Sequence, residues 1–217
     1  MLEQRVWYAA YGSNLALGRF RCYLSGGRPL GGAREYAGCR DPRPPERMLS
    51  LHVEGGLVFA GQSGVWGGGM AFYDATAPGW AACRAYLLTT DQFVDVVAQE
   101  MRRPPGGEFA RNLAGVLPEV GSVHTLGPGR YETVLRLGER EGVPMFTVTH
   151  DDVAGLELAA PTAPYLRWIA AGLHDAHGWD SARIGGYLAA APGARGVWTE
   201  DEIAALAAPP ERDSGAT

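Results

Sequence analysis

The sequence predicts a mixed α/β fold, with strands in small groups and helices between and after them, not the regular alternation of a doubly wound sheet. Three observations carry this. The apolar run Val6-Trp7-Tyr8-Ala9-Ala10 turns at Gly12 into an amphipathic segment, Leu17 to Leu24. Several short apolar runs then follow between residues 48 and 88, the last leading into a capped helix. A hairpin pattern near residues 131–150 precedes three helical stretches. At 217 residues, 46% hydrophobic and 20% charged, the chain can bury one sizeable core. No Ser/Gly linker or charge block divides it, so 1–208 is expected to be a single domain and 209–217 a disordered tail.

Each element has its own signal. The first strand is aromatic and β-branched, Gly12 permits a tight turn, and Ser13 or Asn14 is a good N-cap for the helix that Gly26-Gly27 ends. Asp41-Pro42-Arg43-Pro44-Pro45 lacks donors and reads as an extended surface loop. Strands are expected at Met48 to Val53, Gly56 to Ala60 and Gly64 to Tyr73. The last is interrupted by Gly67-Gly68-Gly69, a bend or a place where something approaches the backbone closely. A strand at Cys83 to Leu88 runs into Thr89-Thr90-Asp91-Gln92, where Thr89 and Gln92 have capping-box spacing. The helix that follows stops before Pro104-Pro105. From Gly107 to Gly129 the pattern is weak and reads as a long loop holding at most one helical turn, a candidate lid. Tyr131 to Leu137 and Val143 to His150 form a hairpin, and helices begin near Thr162, Asp180 and Thr199, the last with Glu202 at capping-box spacing.

Composition narrows the function classes. The net charge is −5 with no basic stripe, which argues against nucleic acid as the main partner, and single arginines are expected to be solvated or paired. All 19 basic residues are arginine, and with 31 glycines this suggests a GC-rich bacterial coding sequence. Residues Met1 to Arg5 lack the features of a secretory signal and no apolar run is long enough for a span, so a cytoplasmic protein without membrane contact is expected. Cys22, Cys39 and Cys83 are too scattered for a disulfide framework or zinc site and read as buried thiols.

Two places carry chemistry. The loop Tyr11-Gly12-Ser13-Asn14-Leu15 can aim free N–H groups at one spot, holding a carboxylate or oxyanion there, although it also reads as an ordinary strand-to-helix connection. In the helix after Thr89, Phe93, Val96 and Val97 form an apolar stripe on which Glu100 also falls. Burial and the negative end of the helix dipole would both raise its pKa towards the range useful for proton transfer. Arg102 and Arg103 would act oppositely if turned back, and a frayed, solvated helix end is the plainer alternative.

Together with Val65-Trp66-Gly67-Gly68, Ala98-Gln99-Glu100, Arg130 to Val134, Val143 to Thr149 and Pro161-Thr162-Ala163-Pro164-Tyr165, the YGSNL run resembles the γ-glutamylcyclotransferase family over roughly residues 6 to 170. The resemblance implies a mixed β-barrel flanked by helices, closed or nearly so, here with extra C-terminal helices. It implies an acyl transferase or lyase that releases 5-oxoproline from a γ-glutamyl amide or amine, with no metal or organic cofactor. Glu100 would then be the catalytic acid/base. Gly12, Ser13 and Asn14 would bind the substrate, Tyr165 would contact it, and Tyr11 would shape the pocket floor. Met101 departs from the family's usual glycine. The C-terminal helical stretches lie beyond the resemblance and are candidates for a lid or a homodimer contact.

Two alternatives stay open. His150-Asp151-Asp152 and His174-Asp175-Ala176-His177 offer ligands for a metal-dependent amidase or deacylase, without an HExxH arrangement; Ser13 as a covalent nucleophile is a variant, lacking GxSxG and an evident base. A non-catalytic small-ligand-binding protein of the same fold would use the same loop, although a buried acid gains an anion pocket nothing.

Overall fold

The computed structural model describes residues 4–207. A six-stranded mixed sheet has the order β2-β5-β1-β8-β7-β6, and a separate hairpin pairs β3 with β4. The strands are β1 (Arg5–Ala10), β2 (Arg47–Glu54), β3 (Gly56–Ala60), β4 (Met70–Asp74), β5 (Trp80–Thr89), β6 (Val123–Thr125), β7 (Thr133–Arg140) and β8 (Val143–Thr149). The helices are α1 (Leu17–Ser25), α2 (Thr90–Glu100), α3 (Glu108–Val116), α4 (Ala163–His177), α5 (Ser181–Ala189) and α6 (Glu200–Ala207).

β1 lies at the centre, antiparallel to β5 and parallel to β8. Its continuous apolar run follows from burial on both faces. Val6, Tyr8 and Ala10 join a core with Phe20 of α1, Phe93 of α2 and Leu113 of α3. Trp7, Ala9 and Tyr11 point the other way, into a core with Phe59 of β3, Leu166 of α4, Ile184 of α5 and Ile203 of α6. The sheet therefore has helices on both sides.

The sheet is open, which corrects the expected barrel. The β3-β4 hairpin shares no ladder with it and is fastened by a side chain, Thr149 Oγ1, which accepts from Tyr73 N at 3.1 Å and donates to Tyr73 O at 2.7 Å. Nor does a strand run from Gly64 to Met70. Gly67 and Gly68 have φ of 71° and 58°, and Gly69 lies so close to the Ala159 carbonyl that a Cβ would collide with it. What approaches these glycines is the chain's own 159–162 segment. The expected long loop after Gly107 folds instead into α3, a short 3-10 turn at Leu117–Glu119 and the edge strand β6. Amphipathic Phe109, Ala110 and Leu113 join the core around Phe93 and Val97, with α3 lying against α2. The expected tail falls among 208–217, outside the described residues.

The capping boxes at Thr89/Gln92 and Thr199/Glu202 both form. Ser13 and Asn14 are not caps: they sit in a 3-10 turn, Ser13–Leu15, and α1 begins after Ala16 with no side-chain cap. Among the cysteines, Cys83 is buried while Cys22 and Cys39 are only half-buried. Among the described residues, no helix is long and apolar enough to cross a membrane.

The topology explains why residues 14 and 100 meet. β5 runs antiparallel to β1 and ends beside its start, where Thr90 N donates to Gln4 O at 3.0 Å. From there α2 travels back along β1. Its 11 residues advance about 16 Å and the 6 residues of β1 about 20 Å, so both end at the same edge of the fold.

Candidate active site

At that edge a cleft opens, lined by the Tyr11-Gly12-Ser13-Asn14 turn, Glu100 and Tyr165, together with arginines and aromatic side chains that sequence reasoning passed over. All the expected site residues thus line one cavity.

The turn is held from behind. Tyr86 of β5 donates to Asn14 O at 2.6 Å, and Arg84 donates to Leu15 O at 2.8 Å. On the other side α4 presses its backbone against the turn at Gly172, where a Cβ would collide with Leu15 and Ala16. With these carbonyls engaged, the N–H groups of Ser13 and Asn14 donate to no acceptor among the described residues. A cleft wall that offers free donors and hidden acceptors suits an anion. Tyr11 forms the floor with its hydroxyl committed to Val148 O at 2.7 Å. The Tyr165 hydroxyl accepts from Ala71 N at 3.2 Å and its ring stacks on Trp66, with centroids 5.7 Å apart. Burial pushes its pKa up to about 12, so it stays protonated at neutral pH.

Glu100 is the last residue of α2, with Phe93, Val96 and Val97 fully buried on the same stripe. Asn14 Nδ2 donates to its Oε1 at 3.1 Å. Burial raises the carboxyl pKa, opposed by Arg19, by hydrogen bonds from Tyr23 and Asn14, and by Arg34. The restraining cations are therefore Arg19 and Arg34, not the adjacent Arg102 and Arg103 expected from sequence.

Arg19 is the residue that composition-level reasoning placed wrongly. Far from being solvated or paired, it is 2% exposed. Its Nη2 donates to Tyr36 Oη at 2.7 Å and Tyr23 Oη at 3.3 Å, and its guanidinium lies over the rings of both, 4.4 and 4.6 Å from their centroids. Nε and Nη1 are buried without a partner, and no carboxylate lies within ion-pair distance among the described residues. Burial opposes its charge, but Tyr23, Tyr36 and Glu100 outweigh that, and it remains protonated. A buried charge with two idle donors, on a residue that lines the cleft, has the form of an anion site. Asn14 Oδ1 is likewise buried with no donor.

The histidines expected as alternative metal ligands are spread out. His174 Nδ1 contacts Trp179 O at 3.0 Å and His177 Nε2 contacts Cys83 O at 3.1 Å. Among the described residues, one group could hold a metal: Glu132, His150 and Asp151, with ligand atoms within 4.8 Å of one another. None of the three lines the cleft.

No protein-family model matches the chain. Over 152 residues it is 31% identical to histone deacetylase 5 of Arabidopsis thaliana, a stretch that is 66% of this chain but spans only 23% of that protein. Among solved structures, one of an uncharacterized human protein covers 94% of this chain and 99% of its own, at 18% identity and a TM-score of 0.49. Another, of a gamma-glutamyl cyclotransferase, aligns over 94% of this chain and 98% of its own, with 16% identity and a TM-score of 0.51. Shared architecture over nearly the full length of both chains shows that this protein has the γ-glutamyl cyclotransferase fold.

Proposed function

We propose that the protein releases 5-oxoproline from γ-glutamyl amides or amines. The observation that carries this is the convergence, in one cleft, of a half-buried acid with a buried arginine lacking a carboxylate partner among the described residues and an amide oxygen without a donor. A γ-glutamyl group bears an ammonium and a carboxylate on one carbon, so their partners must be neighbours. Glu100 and Asn14 Oδ1 suit the ammonium, and Arg19 Nε and Nη1 suit the carboxylate.

The reaction then needs positioning and two protons moved from the α-nitrogen to the leaving nitrogen. Glu100 takes a proton from the α-ammonium and frees the amine. The amine nitrogen attacks the side-chain carbonyl carbon, closing a five-membered ring, and the N–H groups of Ser13 and Asn14 face the oxyanion. Each well-placed donor is worth about 3 kcal/mol. As the tetrahedral centre collapses, the bond to the leaving nitrogen breaks, Glu100 returns the first proton to it, and the second proton of the ring nitrogen passes to the released amine, leaving a neutral lactam nitrogen and an ammonium. The balance closes with no further reactant. Tyr165 and Tyr11 shape the wall and floor around the ring.

Purified protein incubated with γ-glutamyl amino acids, γ-glutamyl amines and glutathione should release 5-oxoproline, detected by mass spectrometry, and Glu100→Gln should not. Failure of every substrate with folded protein would sink the reading.

A metal-dependent deacylase is the second reading, favoured by the partial likeness to a protein named histone deacetylase 5 and by the Glu132, His150 and Asp151 group. Its location outside the cleft lining weighs against it. Stoichiometric metal in purified protein, lost together with activity on chelation, would favour it.

A further inference from the structure

The cleft holds a charge imbalance that the γ-glutamyl group leaves uncorrected. Four arginines line it, Arg19, Arg34, Arg102 and Arg130, against a single carboxylate, Glu100. They are graded by depth: Arg19 is buried, Arg34 half-buried, and Arg102 and Arg130 are exposed at the mouth. None has a carboxylate within ion-pair distance among the described residues, a condition they share with scattered surface arginines such as Arg21, Arg111 and Arg183 but combine with convergence on one cleft. The mouth arginines nonetheless touch the cleft wall. Arg102 has a backbone φ of 56° and its guanidinium packs over Gly64, while Arg130 Nη1 contacts Met70 Sδ at 3.5 Å. In a chain of net charge −5, these cations gather around one cleft.

The γ-glutamyl group is a zwitterion. Its carboxylate takes Arg19 and its ammonium answers Glu100, so it cancels nothing at Arg34, Arg102 and Arg130. Resting on the cyclotransferase reading, we infer that the leaving amine is dianionic: the substrate is a γ-glutamyl conjugate of an acidic amino acid, whose two carboxylates meet these three guanidinia. A neutral leaving group would leave all three without a counter-charge, and a polyamine would be repelled. The planar guanidinium fork suits carboxylates, and a charged hydrogen bond of this kind is worth about tenfold in selectivity.

The test compares γ-glutamyl-glutamate with γ-glutamyl-glutamine, which match in shape and differ by one charge. Wild type should turn over the first with kcat/KM about tenfold or more above the second, the ratio shrinking as salt is added. Arg102→Gln and Arg130→Gln should each reduce that ratio. γ-Glutamyl-putrescine should be the poorest of the three. Release of 5-oxoproline at equal rates from both peptides, or faster from the amine, would overturn the inference while leaving the reaction intact. Binding to Glu100→Gln, measured by calorimetry, reads the same preference without turnover. Tighter binding of the glutamate peptide with no turnover by wild type would therefore refute the reaction alone, and equal binding would refute the charge preference.

Discussion

Helix α2 carries two inward carboxylates five residues apart, and they live differently. Asp95 is completely buried and saturated. It receives Arg40 N at 2.9 Å, Arg40 Nε at 3.0 Å and Gly106 N at 2.7 Å. Glu100 receives one amide and one phenol, and its cations stand off. A saturated buried carboxylate is structural: its desolvation is repaid by fixed donors that tie the 38–40 segment and the 104–107 turn to the helix. An under-satisfied one beside idle donors keeps lone pairs available for a proton or a bound group. The contrast separates a clamp from a reagent on one helix, and substitution should separate them too.

The largest effect should come from Glu100→Gln, lowering 5-oxoproline release by about 10²- to 10⁴-fold. The same variant should be more stable at neutral pH, by about 1 kcal/mol, as is common when an active-site conflict is relieved. The sign follows from the raised pKa: folding favours the protonated acid, so the ionised carboxylate costs stability as pH rises through the folded-state pKa. Melting temperatures should therefore separate variant from wild type at pH 7 and converge below the ordinary carboxylate value. Equal melting temperatures at both pH values would mean that Glu100 is solvated.

Asp95→Ala should do the reverse, destabilising by about 3 kcal/mol because Arg40 and two backbone donors lose their partner. Turnover per folded molecule should change far less than for Glu100→Gln. Chemical denaturation with an active-site titration checks both halves, and a variant that folds normally but turns over nothing would erase the distinction.

Arg19 tests the reagent from the other side. Arg19→Met should raise KM more than it lowers kcat, since a carboxylate anchor serves ground and transition states alike. It should also shift the acid limb of the pH-rate profile to higher pH, because Arg19 is the chief group holding the Glu100 pKa down. An unmoved limb would mean that the limb reports another group. The smallest effect is expected at Thr89, whose capping box starts α2 far from the cleft: Thr89→Ala should cost about 1 kcal/mol and leave kcat unchanged.

Glu100 was legible in sequence because it sits on an apolar stripe, and the same test applied to α1 finds Arg19 beside Phe20, Tyr23 and Leu24. Net charge masked it, since an average over 217 residues hides a local excess. The strands, the capped helix and the hairpin were readable from period and turn chemistry. The barrel was not: closure depends on long-range register, and here Thr149 joins the hairpin by a hydroxyl instead of a ladder. Helix α3 was missed because its short amphipathic pattern lies between Pro104-Pro105 and Pro118 and has no side-chain cap. The Ser13-Asn14 turn was placed correctly but misread as a cap, and freedom from capping is what leaves Asn14 to reach Tyr8 and Glu100.

The meeting of Gly172 with Leu15 also has a consequence in time. On a ribosome the turn at Gly12 to Asn14 emerges before the helix that backs it, by roughly 10 to 30 s at ordinary elongation rates. Until α4 docks, the turn has no support from that side. The anion-facing wall is thus completed only by α4, and a nascent chain stays without a finished cleft until that helix has been made.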